Sequence, residues 1–186
     1  MTQKKSFIVF IVILAILLFA SFSVYSFVLE INKKNLPVFS QVQDFKLTTQ
    51  KDELLTLNDL KGVVWIANFF FTTCSDICPI MSKNMSSLNR SVEGLDNVRL
   101  ISISVNPEND SVKRLSQYAK DYDARDNWIF LTGDRAVIKD LAVKSFKLGS
   151  IEEPAFHSAY FSLVDPYGLV RGYYDETKKE DVNKLY

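Results

Sequence analysis

Hydrophobic and polar positions divide this chain into one long apolar run and a mosaic of short ones. From Ser6 to Leu29 there is no charged residue across 24 consecutive positions. As a helix rising about 1.5 Å per residue, such a run spans a hydrocarbon core of about 30 Å. A secretory signal has an apolar core of only about 7 to 15 residues before a small-residue cleavage site. Here the run is longer and the small residues Ser21 and Ser23 lie inside it, which favours an uncleaved transmembrane helix over a cleaved signal. Lys4 and Lys5 hold the N-terminus in the cytoplasm by the positive-inside rule, while Lys33 and Lys34 beyond the run oppose that vote. Asn32 to Val42 reads as a polar tether with Pro37 as a helix stop. The expected organisation is an anchor and tether over residues 1–35 and a single domain over residues 36–186. That domain would lie outside a bacterial cytoplasmic membrane, in the periplasm or beyond.

Past the tether, the periods shorten. Phe45 to Thr48 and Leu54 to Leu57 alternate and are joined by polar residues, as in a small hairpin. Val63 to Phe71 is apolar almost throughout and rich in β-branched and aromatic residues, as expected of a strand buried on both faces. Pro79 stands where a helix begins, and Met81, Met85, Leu88 and Val92 follow at helical spacing. Val98 to Val105 is a second strand. Asp110 and Ser111 can cap a helix with the stripe Val112, Leu115, Ala119 and Tyr122. Trp128 to Leu131 is a third strand, and Asp134 can cap a helix carrying Val137, Ile138, Leu141 and Ala142. Tyr160 to Val164 and Leu169 to Tyr173 form a hairpin about the turn Asp165-Pro166-Tyr167-Gly168. Val182 to Tyr186 ends in a short helix. Strands alternating with helices imply a parallel sheet with right-handed crossovers, and the terminal hairpin adds antiparallel strands. The fold class is α/β: a thioredoxin-like central sheet flanked by helices, with one helix inserted and one N-terminal transmembrane helix.

Composition changes this picture little. The 186 residues suit one domain with an appendage, and 47% hydrophobic content excludes a wholly disordered chain. With 22 basic against 22 acidic residues and no basic run, a nucleic-acid partner has no electrostatic support.

The chemistry concentrates in three residues. Cys74 and Cys78 are the chain's two cysteines, and both fall between the most apolar strand and the helix after it. Ligands sit at the carboxyl ends of strands in open parallel sheets, and a helix N-terminus favours a thiolate. Two buried structural thiols, or a disulfide closing a very small loop, are the alternatives. Three residues separate the pair, where thioredoxin-type oxidoreductases have two. Two thiolates select copper(I) or zinc and leave a site incomplete. His157, the sole histidine, stands just before a strand on a loop containing Pro154. In a thioredoxin-like fold that loop passes near the cysteine turn, where an imidazole would complete a two-sulfur, one-nitrogen set. Such a set suits copper in either oxidation state, or zinc with a water. Met81 and Met85 fit the helix's apolar stripe better than a metal site. A peroxide-reducing thiol site needs an arginine beside the attacking sulfur, and the nearest in sequence are Arg90 and Arg99.

The run Asn68-Phe69-Phe70-Phe71-Thr72-Thr73-Cys74-Ser75-Asp76-Ile77-Cys78-Pro79, followed by Met81-Ser82-Lys83-Asn84-Met85, resembles the cysteine motif of the Sco (SenC) family of copper chaperones. Ile101 to Ser111, Leu131-Thr132-Gly133, His157-Ser158 and Asp165 to Gly168 follow in the family's order, so the resemblance runs from about Phe39 to Tyr174. It departs at Ser75, Asn106 and Phe156, where the family often has Pro, Asp and an acidic residue. The resemblance implies a thioredoxin fold, a single membrane anchor and a mononuclear copper site. Cys74, Cys78 and His157 fall on the family's copper ligands, with Cys74 and Cys78 also a redox pair. Its implied partner is the copper subunit of cytochrome c oxidase, or another respiratory copper protein. There it would supply copper, as Cu(I) or Cu(II), to the dinuclear centre or reduce the acceptor's cysteines as a thiol-disulfide reductase.

Overall fold

The computed structural model describes residues 13–26, 36–149 and 159–185. The chain divides into two compact units, Met1–Pro37 and Val38–Tyr186, described here separately. In the first, residues 13–26 are helical (α1). Among the described residues no helix is long and apolar enough to cross a membrane. The rest of the Ser6–Leu29 run lies outside them.

The second unit is built on one eight-stranded sheet. Its elements are β1 (Ser40–Gln41), β2 (Lys46–Thr49), β3 (Leu54–Thr56), a 3₁₀ turn (Leu57–Leu60), β4 (Val64–Phe70), α2 (Cys78–Ser91), β5 (Val98–Ser104) and α3 (Val112–Asp121). There follow β6 (Trp128–Thr132), α4 (Arg135–Asp140), β7 (Tyr160–Val164), β8 (Leu169–Asp175) and α5 (Lys179–Val182). The spatial order is β1-β8-β7-β4-β5-β6-β2-β3. β4, β5 and β6 run parallel, and β7 joins β4 antiparallel. The parallel core and antiparallel terminal hairpin match the order of elements read from the sequence.

β4 explains why the sheet is buried on both sides. Trp65, Ala67 and Phe69 enter one apolar cluster with Leu141, Ala142 and Phe146. Ile66 and Phe70 enter the other with Met81, Met85 and Leu88 of α2 and Leu115 of α3. A strand serving two cores must be apolar at every position except where a buried polar partner waits. Asn68 is that exception, and its carboxamide oxygen accepts from Ser102 Oγ at 2.7 Å.

Three local expectations are revised. The stretch read as a tether is partly sheet: Ser40 and Gln41 pair with Val170 and Leu169, and Val42 is buried. A strand of two residues carries no period to read. Ser111 caps α3 by accepting from Arg114 N, whereas Asp110 is wholly buried and points elsewhere. The helix opened by Asp134 passes into a π turn at Leu141–Ser145. Immediately beyond that wider turn, Phe146 meets Trp65 and Phe69 edge-on, with ring centroids 5.7 and 5.3 Å apart.

Phe146 is fully buried. Phe146→Ala should therefore lower the unfolding free energy by about 3–5 kcal/mol in urea titration. Tyr167→Ala, at a side chain 82% exposed, should change it by no more than about 0.5 kcal/mol.

Candidate functional site

β4 lies in the middle of the sheet and ends at Phe70. The chain then crosses the carboxyl end of the sheet in a loop and turns into α2. Cys74 is in that loop, half-buried, and Cys78 is the first residue of the helix, with no exposed surface. Neither is in a disulfide.

The start of α2 lacks an ordinary cap. Ile77 occupies the N-cap position with no side-chain acceptor, and Pro79 has no N–H to give. Cys74 stands beside that gap, where the backbone groups of Cys78, Asp76 and Ile77 act on its sulfur. Burial pushes the pKa of this thiol up, but the Cys78 thiol and those three backbone groups outweigh it and hold Cys74 below the usual thiol range. Cys78 is the opposite case. Burial, its hydrogen bond to Cys74, and the charges of Cys74 and Glu176 push it up to about 12, against a hydrogen bond from the Phe71 backbone. The half-buried sulfur is thus the more acidic of the two, and the wholly buried one stays protonated.

The loop is fastened from below by Asp110. This carboxylate accepts from Thr72 N at 3.0 Å, Thr72 Oγ1 at 2.5 Å and Ser104 Oγ at 2.5 Å. Arg114 of α3 lies 3.9 Å from Asp110 through Nε, which also donates to Thr72 Oγ1 at 2.5 Å. A second buried acid stands behind the helix. Glu176 has no exposed surface; Asn68 Nδ2 reaches its Oε2 at 3.5 Å, and its Oε1 has no partner among the described residues. Burial holds this carboxyl well above the usual carboxylate range, aided by the charge of Asp175 and opposed by Asn68.

Of the three residues singled out in the sequence, the structure brings Cys74 and Cys78 together, and His157 lies outside the described residues. No group of three or more His, Cys, Asp or Glu able to hold a metal occurs among the described residues. The donors available there are two sulfurs, one of them reachable from solvent. Met81 and Met85 are wholly buried in the core, as their spacing suggested. Asp76 is exposed, and it reaches Cys74 through its backbone rather than its charge. Asp110, Arg114 and Glu176 were missed. Arg114 lies 40 positions after Cys74 in the chain, yet it reaches the cysteine loop at Thr72. The only trace in the sequence was Asp110 directly before a good capping serine.

The asymmetry of the thiols predicts their order of reaction. Under limiting iodoacetamide at pH 8, the reduced chain should be alkylated at Cys74 at least about tenfold faster than at Cys78, because the thiolate is the nucleophile. Peptide mass mapping reads the order, and equal labelling or prior labelling of Cys78 would contradict it.

The family model described as SCO1/SenC matches residues 34–184. The SCO1 protein homolog of Bacillus subtilis (strain 168) is 41% identical over 142 residues, covering 72% of this chain and 73% of that one. Among solved structures, BsSco, described as a member of the Sco family of cytochrome c oxidase assembly proteins with a disulfide switch, superposes with a TM-score of 0.69. It is 36% identical and covers 82% of this chain and 96% of that one. Arabidopsis thaliana ScoI with copper bound superposes with a TM-score of 0.65 at 26% identity, covering 78% and 93%. With the family model spanning almost all of the folded unit and a curated relative above 40% identity, this chain belongs to the SCO1/SenC family.

Proposed function

We propose that this chain is a membrane-anchored copper-binding protein that supplies copper to, or otherwise matures, the dinuclear copper centre of cytochrome c oxidase. Cys74, Cys78 and His157 are its copper ligands, and the Ser6–Leu29 run is its anchor. The soluble unit then faces the periplasm or cell exterior. The observation that carries the reading is the pair of free thiols at one helix start, one accessible and one buried. Two soft sulfurs suit copper(I), and copper is bound in the Arabidopsis relative of the same fold.

The described residues also support a place for the histidine. Ala159, two positions after His157, accepts from Glu176 N at 2.8 Å. Glu176 is close enough for its charge to act on Cys78. Two residues reach at most about 7 Å, and this short span from Ala159 supports the reading of His157 as the third ligand. In this reading copper is cargo. An acceptor's thiolate approaches from the Cys74 side, bonds to the metal, and displaces Cys74 before the buried Cys78 lets go.

A second reading is favoured by the thiol asymmetry itself. A low-lying Cys74 and a protonated Cys78 are the attacking and resolving halves of a thiol-disulfide reductase. Such an enzyme would act on cysteines of a respiratory copper protein and would not use His157.

Copper(I) titration of the reduced full chain against a competing chelator separates the two. Copper binding should saturate at one equivalent, and His157→Ala should weaken it by at least about tenfold, or about 1.4 kcal/mol. Cys74→Ser and Cys78→Ser should each abolish stoichiometric binding. Unchanged affinity in His157→Ala would remove the histidine from the site, and reduction of a protein disulfide without metal, unaffected by that substitution, would favour the reductase.

A further inference from the structure

An open groove of about 960 Å³ runs along α3 and ends at the cysteine loop. Its walls include Thr72, Lys113, Arg114, Tyr118, Asp121 and Tyr122. The cysteine loop reaches it directly and α2 is tied to it through Tyr118. Thr72 is two residues before Cys74, and the Tyr118 hydroxyl shares a hydrogen bond of 2.8 Å with Ser82 of α2. An occupant of the groove therefore touches the loop and, through Tyr118, the helix that hold the thiols.

The charge in the groove is uneven. Arg114 and Lys113 stand at its loop end, while Asp121 lies two turns further along α3 and already accepts from Gln117 Nε2 at 2.8 Å. Arg114 is half-exposed and its Nε is spent on Thr72. Among the described residues its two terminal nitrogens have no hydrogen-bond partner, and Lys113 has no ion pair. A guanidinium that lines a groove and is held there at Nε is pre-organised for a carboxylate, which its fork of donors matches.

We infer that this groove recognises an acidic segment of the protein that exchanges with the cysteines, with Arg114 gripping a carboxylate beside the loop and Lys113 adding attraction. This rests on the proposed reading in which Cys74 and Cys78 meet an acceptor's thiols, and it adds the chemistry of that acceptor's docking segment. Arg114 also joins recognition to the site. Its Nε holds Thr72 Oγ1 while its terminal nitrogens take the carboxylate, so one guanidinium touches both the docked segment and the cysteine loop.

The test uses the full chain in detergent, oxidised at Cys74 and Cys78, with synthetic dithiol peptides as probes. Three peptides carry the same two cysteines flanked by four Glu, four Gln or four Lys. Two electrons and two protons pass from the peptide's thiols to the chain, so the peptide becomes the disulfide and the chain the dithiol. At low salt the Glu peptide should react about tenfold faster than the Gln peptide and the Lys peptide more slowly than either, with the differences shrinking in 0.5 M salt. In Arg114→Ala the Glu-to-Gln ratio should fall to near one, and in Lys113→Ala to an intermediate value. The ratio is read within one protein, so a general loosening of the loop cancels. Equal rates for the Glu and Gln peptides in the parent, or an unchanged ratio in Arg114→Ala, would overturn the inference and leave the thiol chemistry standing. Absence of exchange with every peptide would overturn both.

Discussion

A wholly buried carboxylate cannot be left without partners, and Asp110 finds most of its own in the cysteine loop. The cost of an unpaired charge in the interior is several kcal/mol, far more than any exposed turn contributes. Thr72 answers with its amide and its hydroxyl, Ser104 with a second hydroxyl, and Arg114 with charge. The chain is therefore pinned two residues after β4 ends and two residues before Cys74. Everything the site does follows from that pin: the loop has only the span from Thr72 to Cys78 in which to place two sulfurs at the start of a helix.

Within that span the same helix start gives the sulfurs opposite characters. Cys74 receives the backbone N–H groups that a side-chain cap would ordinarily take, and Cys78 is turned inward among Phe70, Met81 and Phe161. A pair that is equal in covalent structure becomes one half-buried, more acidic thiol and one wholly buried thiol. Copper exchange and thiol exchange both need this division, since each proceeds by attack on the accessible side while the other sulfur holds on. Glu176 adds to it by placing a further acid behind Cys78.

Much of this was legible in the sequence where the signal is periodic or local. The run Val63 to Phe71, apolar at every position but Asn68, gave β4 to within a residue at each end, because a strand facing two cores has no polar face to blur it. The stripe Met81, Met85, Leu88 and Val92 gave α2 and correctly kept both methionines in the core. The spacing of Cys74 and Cys78 at a strand-to-helix turn located the site. What escaped was long-range or had no period. The β1–β8 pairing involves two residues, too few for alternation. Asp110 looks like a capping residue in one dimension and becomes a buried anchor only when β4 and β5 lie side by side. Arg114 and Glu176 approach the cysteines from elements 36 and 98 positions beyond Cys78, and no local pattern reports such a meeting.

The proposed function turns on one central claim, that both cysteines ligate copper at once. X-ray absorption at the copper edge measures this directly on the full chain loaded with one equivalent of copper(I). The account predicts two sulfur scatterers in the first coordination sphere together with one nitrogen. A spectrum fitted by a single sulfur, or by nitrogen and oxygen alone, would contradict it.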